Sequence, residues 1–211
     1  MGPDKSAQRS CNGALLVAAL AYASLHHLGL LPAWEGPTGT RWNDWLDLLV
    51  PWLVLGSAAW VLVVAGASRR VWAVFAVGAL LYTSGHGVHL AANSIGNVAP
   101  GETAHLWDEE VGHLLWYAGV ALVGAALAAT MRGRALPAGA GLAAAALAAC
   151  AVGTTWATNA LGGGSIVLAV VVAIAACVLG WRERRALGVL VGVAGVSALG
   201  LLLSVGLLAA G

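Results

Sequence analysis

Charge is what this sequence has least of. Ten basic and nine acidic residues stand among 211, a charged share of 9%, where a soluble globular domain carries about 25%. So few polar groups could not cover the core of a chain this long, and a soluble fold is excluded. The formal net charge of +1 argues against a nucleic-acid partner, because binding a duplex takes many Lys and Arg side chains on one face. Lys5 is the only lysine and precedes every long apolar run, which excludes a retinal protein built on an intramembrane lysine. Three cysteines, Cys11, Cys150 and Cys177, show no CxxC spacing and read as small packing residues rather than a disulfide framework.

What the chain has in excess is apolar residue: 60% hydrophobic, with a mean hydropathy of +0.87. Its solvent is therefore lipid. Apolar stretches of about 20 residues, the length a helix needs to cross hydrocarbon, recur at 13–31, 48–67, 71–95, 106–130, 136–156, 164–181 and 186–208. They predict an all-α polytopic membrane protein, a single domain over 1–211 with seven transmembrane helices. Lys5, Arg9, Arg69, Arg70, Arg132, Arg134, Arg182, Arg184 and Arg185 all fall on one side of these spans, and only Arg41 falls on the other. Positive charge gathers on the cytoplasmic side, so the N terminus is expected inside and the C terminus outside. Ala21-Tyr22-Ala23 has the form of a signal-peptide cleavage site. The apolar run continues past it through Leu25, Leu28 and Leu31, which favours a retained first helix; cleavage would leave six spans and the same orientation.

The last three spans are Ala, Gly, Leu and Val with little else. Gly188-x-x-x-Gly192 and Gly200-x-x-x-Ser204 offer small faces for close packing, read as contacts within the chain ahead of a dimer surface. Near the outer end of the fifth span, Thr154, Thr155, Trp156 and Asn159 are the one polar interruption. Threonine in lipid can bond its own backbone and needs no further role.

Chemistry is confined to SGHGVHLAANSIGNVAPGETAHLWDEEVGH, residues 84–113, which holds four of the six histidines. Ionisable groups in membrane spans are rare and usually face a bundle interior or a wet cavity. His86, His89 and Asn93 stand at i, i+3 and i+7 on one helix; His105, Glu109 and His113 stand at i, i+4 and i+8 on the next, with Asp108 at the edge of that face. By the rise of about 1.5 Å per residue, His86 lies roughly 13 Å below the outer end of its span and His113 roughly 11 Å below the start of its own. The two antiparallel faces can therefore meet. His26 joins from the first span, while His27 points elsewhere because neighbours on a helix differ by about 100°. Gly85 and Gly87 flank His86 and allow close approach.

Imidazole and carboxylate are the usual ligands of zinc and non-haem iron. The ligand set expected is His86, His89, His113 and Glu109, around one open-coordinated ion or two ions. Asp108 and Glu109 are the candidate general bases, His26 a further ligand or acid, and Asn93 and Trp116 the candidate substrate contacts. An open three-ligand zinc site lowers the pKa of bound water to about 7. His105, Glu110 and Glu102 read as solvated.

TRWNDWLDLLVPW (40–52) places Trp42, Trp45, Leu46 and Leu49 on one face, with Asn43, Asp44 and Asp47 facing away, and predicts a short amphipathic helix in the outer interface. It reads as a belt anchor, as a lid, or as a source of an Asp44 or Asp47 ligand. Trp34, Trp107 and Trp156 mark the same belt, Trp72 and Trp181 the inner one. No histidine follows His113, so the chain lacks the HxxxH pair in the last span that marks the zinc-dependent membrane hydrolases of the alkaline-ceramidase and adiponectin-receptor type.

The expected function is a membrane enzyme with a divalent-metal site in its extracytoplasmic half. Zinc hydrolysis of a lipid or small amphiphile leads, because such a site lacks an obvious electron donor. Iron or copper redox chemistry at the same site is the variant, with haem on paired histidines another. The other readings are a metal-free cyclase or isomerase using Asp108 and Glu109, and a non-catalytic metal or proton carrier or sensor.

Overall fold

A computed structural model describes residues 5–28, 31, 32, 34–184 and 186–210; Arg185 of the basic set and Gly29 and Leu30 of the first predicted span lie outside them. The described residues are helical and include no β-strand, the only pairing of that kind being an isolated bridge between Glu35 and Arg41. The helices are α1 (Lys5–Leu25), α2 (Trp42–Asp47), α3 (Val50–Val64), α4 (Arg69–Val98), α5 (Glu102–His105), α6 (His113–Met131), α7 (Ala140–Gly162), α8 (Ile166–Arg182) and α9 (Val189–Ala210). A π-helical turn, Leu106–Gly112, joins α5 to α6. Five of the resulting rods are long and apolar enough to cross a membrane: Trp42–Val64, Arg69–Val98, Glu102–Met131, Ala140–Gly162 and Val189–Ala209. The shorter α8 is apolar throughout.

Two surface features suit lipid rather than water. Large aliphatic side chains stand bare, with Leu80 68%, Leu147 71% and Val167 80% exposed. The hydroxyls of Ser57, Thr83, Thr130, Thr154, Ser197 and Ser204 each bond a carbonyl three or four residues back in their own helix, which satisfies them without solvent. Thr155 differs by reaching across to His27 Nε2 (3.1 Å) on the first segment.

The basic connections gather at one end. Arg134 donates to the Thr130 and Ala65 carbonyls (2.6 and 2.9 Å), capping helices α6 and α3 where their last carbonyls lack intrahelical donors. Arg132 pairs with Glu183 (3.1 Å), and Gln8 reaches the Ala135 carbonyl (3.3 Å), so α1, α3, α6 and α8 have ends in common there.

α4 packs chiefly on α6, α1 on α3 and α7, and α9 on α7 and α8. Small residues set these distances. A Cβ on Gly180 would overlap the backbone of Gly192, and one on Gly153 would overlap Ala194, so the Gly188–Gly192 motif packs within the chain. All three cysteines are free.

Two expectations are corrected, the place of Trp156 in the aromatic belt and the candidacy of Asp44 as a ligand; the two faces of α2 are as expected. Trp156 is buried, 7% exposed, and donates to the Ala169 carbonyl (3.2 Å); it belongs to the core and not to an aromatic belt. In α2 the polar side points inward: Asn43 and Asp44 are buried while Trp42, Trp45, Leu46 and Leu49 are exposed. Asp44 accepts both arms of Arg41 (2.8 and 3.1 Å), which neutralises it and ends its candidacy as a ligand.

Candidate metal centre

Backbone contact between α4 and α6 builds the site. Gly78 and Gly85 stand seven residues apart on α4, Gly112 and Gly119 seven apart on the facing segment. A Cβ on Gly85 would overlap Trp116 N and come within 2.7 Å of the Gly112 carbonyl; one on Gly119 would overlap Tyr82, and one on Gly112 would lie 2.9 Å from His89 N. Gly87 meets nothing within 4 Å, so Gly85 alone of the pair flanking His86 is the point of approach. This glycine seam was legible as a seven-residue small-residue repeat, a signal that the histidines overshadow.

At the end of the seam farther from Arg69 the side chains of His89, Asp108 and His113 converge. Each offers a ligand atom, and these atoms lie within 4.8 Å of one another. His89 Nδ1 forms an ion pair with Asp108 Oδ1 at 2.5 Å, and both atoms are buried with no other polar partner. An imidazole nitrogen and a carboxylate oxygen are both common metal-ligand atoms, and at this distance they pair directly rather than enclose an ion. His113 Nδ1–H donates to the Asp108 carbonyl oxygen (2.8 Å), fixing that ring and leaving Nε2 as its lone-pair nitrogen. The backbone of Gly163, in the loop after α7, lies against this edge: a side chain there would overlap His113 Cδ2.

The π turn explains which carboxylate takes part. In an α-helix Glu109, four residues before His113, would share its face. A π turn closes over five residues, so Asp108 comes to stand beside His113 and faces α4. Glu109 is turned outward, 37% of its side chain exposed, with Oε2 3.6 Å from His113 Nδ1.

The remaining expected residues surround this group. His86 is 1% exposed and donates from Nε2 to the Asp47 carbonyl (3.0 Å); its ring centre is 6.3 Å from that of His89, and its buried Nδ1 has no partner. His26 follows the last turn of α1, donates from Nδ1 to the Tyr22 carbonyl (2.9 Å) and accepts the Tyr82 hydroxyl at Nε2 (2.7 Å), so neither nitrogen is free to ligate. Trp116 packs between four imidazoles, its ring centre 4.9 Å from His86, 5.5 Å from His113 and 5.6 Å from both His26 and His89. It walls off the centre toward the bundle interior. The link from Asp47 to His86 joins residues 39 apart, and local spacing carries no signal for it.

Two cavities flank the π turn. One of about 210 Å³ is lined by Asn93, Asn97, His105 and Asp108. The other, about 520 Å³, is lined by His105, Glu109 and Glu110 together with Leu114, Val167 and Leu168. No protein-family model, curated protein or solved structure matches this chain.

Proposed function

We propose that this protein is an integral membrane enzyme that hydrolyses a lipid or small amphiphile at a divalent-metal centre formed by His89, Asp108 and His113. The observation that carries the reading is the convergence of one ligand atom from each of His89, Asp108 and His113, all within 4.8 Å of one another. The group brackets the spacing of roughly 3.3 Å between donor atoms on a tetrahedral ion with bonds of about 2.0–2.2 Å. Two histidines and a carboxylate leave open positions, and the chemistry an ion supplies there is Lewis-acid activation of water at neutral pH.

The chain's own residues do the rest. Glu109 lines the larger cavity and sits beside His113, placed to take a proton from water attacking a substrate held there. Leu114, Val167 and Leu168 offer that substrate's hydrocarbon part an apolar wall. Asp47, through its carbonyl, orients His86 against Trp116. The same ligand set also suits non-haem iron, and the oxidisable ring of Trp116 has its centre 5.6 Å from that of His89 and 5.5 Å from that of His113, so redox chemistry is the second reading. A carrier is disfavoured, because Ser57, Thr130 and Ser197 are bonded within their own helices and offer no polar path onward.

Glu109→Gln tests the division of labour. It is expected to keep its metal by elemental analysis while losing about 10²–10⁴-fold in hydrolytic rate, the usual contribution of a general base. Loss of the ion in this variant would make Glu109 a ligand instead. Iron in the native protein, with no hydrolysis in either form, would turn the assignment to redox chemistry.

The reading includes seven spans, α1 and α8 counted, with the basic end in the cytoplasm and the centre in the outer half. α2 then lies in the outer interface, Trp42 and Trp45 toward lipid. A reporter active only outside the cytoplasm, fused after residue 211, is expected to be active; activity of a cytoplasm-only reporter at that position would reverse the orientation.

A further inference from the structure

The two cavities touch the centre differently, and that difference points to separate routes for ion and substrate. Asp108 lines the 210 Å³ cavity, whereas none of the three converging residues lines the 520 Å³ one. Asp108 and Glu109 are consecutive on a helical turn, so their side chains diverge and each commits to its own space. His105 borders both.

We infer that the smaller cavity is a loading vestibule that takes a hydrated divalent cation from the outer surface and delivers it, through Asn93 and Asn97, to Asp108. The inference rests on the metal centre proposed above. The exposed Pro100 and Gly101, in the connection after α4, are part of this cavity's lining. Asn97 is exposed and Asn93 half-buried, one helical turn apart on the same face. Hard cations shed water for amide and carboxylate oxygens step by step, and these residues supply that order: Asn97 at the rim, Asn93 a turn deeper, then the buried Asp108 Oδ1, which is paired with His89 Nδ1. The volume accommodates an ion with about six waters at roughly 30 Å³ each. The larger cavity has the carboxylates Glu109 and Glu110 beside its apolar wall of Leu114, Val167 and Leu168. None of the three converging residues lines it, so a cation drawn there is not handed to the centre.

The test uses the full chain in detergent, stripped by a chelator and mixed with cobalt(II), whose visible absorption reports binding. Asn97→Trp is expected to slow uptake at least tenfold with the final occupancy unchanged. Asn97→Asp is expected to speed it several-fold, in a salt-sensitive way, because a charge at the rim raises the local ion concentration. Val167→Trp, at the other cavity, is expected to leave uptake unchanged. Wild-type kinetics in both Asn97 variants, or equal slowing by Val167→Trp, overturns the route while leaving the centre intact. Absence of any cobalt binding to the wild-type chain overturns the centre itself, and the route with it.

Discussion

Alanine at His89, Asp108 or His113 is expected to leave the purified protein nearly free of metal. Removing a partner that merely orients a ligand costs about 10–100-fold in metal affinity, and removing one of three ligands costs more. Occupancy in each variant should fall below about a tenth of wild type after one chelator wash, as measured by elemental analysis. His27→Ala is the control, since His27 bonds Thr155 on α7 and stands outside the group. His86→Ala is the discriminating variant. With its ring centre 6.3 Å from His89 and Nε2 spent on the Asp47 carbonyl, His86 is not among the three converging residues, and its loss should leave an ion bound. Metal lost from His86→Ala but kept in Asp108→Ala would move the centre one turn deeper into the bundle.

Gly85→Ala is expected to be among the most damaging single methyls at the described glycines. The added carbon would overlap Trp116 N and stand 2.7 Å from the Gly112 carbonyl and 2.8 Å from Leu115 C. All three are backbone atoms, which cannot rotate aside, so α4 and α6 must separate. Overpacking of this kind costs about 1–3 kcal/mol and sometimes more; between helices in lipid, packing is itself the main attraction. A loss of at least about 3 kcal/mol is therefore expected in unfolding from micelles followed by circular dichroism. Metal affinity should fall with it, because His89 and His113 ride on the two helices being parted. Gly87→Ala, with nothing within 4 Å, should be neutral or stabilising by up to about 1 kcal/mol through helix propensity. Equal stability of the two variants would show that the seam is not a close contact.

The helical scaffold was largely legible before any coordinates. Apolar runs broken by SRR, RGR and WRERR mark helix ends because charge cannot stay in hydrocarbon, and the helices observed begin or stop near those breaks. His89 and His113 were legible as a facing pair from spacing alone. The choice of Asp108 over Glu109 was not, because the phase of a helix is inferred by assuming 3.6 residues per turn and the segment before His113 departs from that. Nor were the partners of His26 and His86, which come from Tyr82 and from α2 across the bundle; periodicity reports faces, not neighbours. Trp156 misled for a related reason. Tryptophan suits both headgroups and cores, and only the Ala169 carbonyl within reach of its indole decides between them.

The wide turn ahead of α6 also sets how the centre can be lost. A π turn holds one residue more than the α turn it replaces. A chain one residue shorter between Asp108 and Gly112, wound as a regular α-helix, would leave Asp108 four residues before His113 and still on its face. Loss of Trp107 instead, with the same winding, would carry Asp108 about 140° from His113 while all three converging side chains and the glycine seam are retained. The place of a missing residue, and not only its identity, therefore decides whether the centre survives.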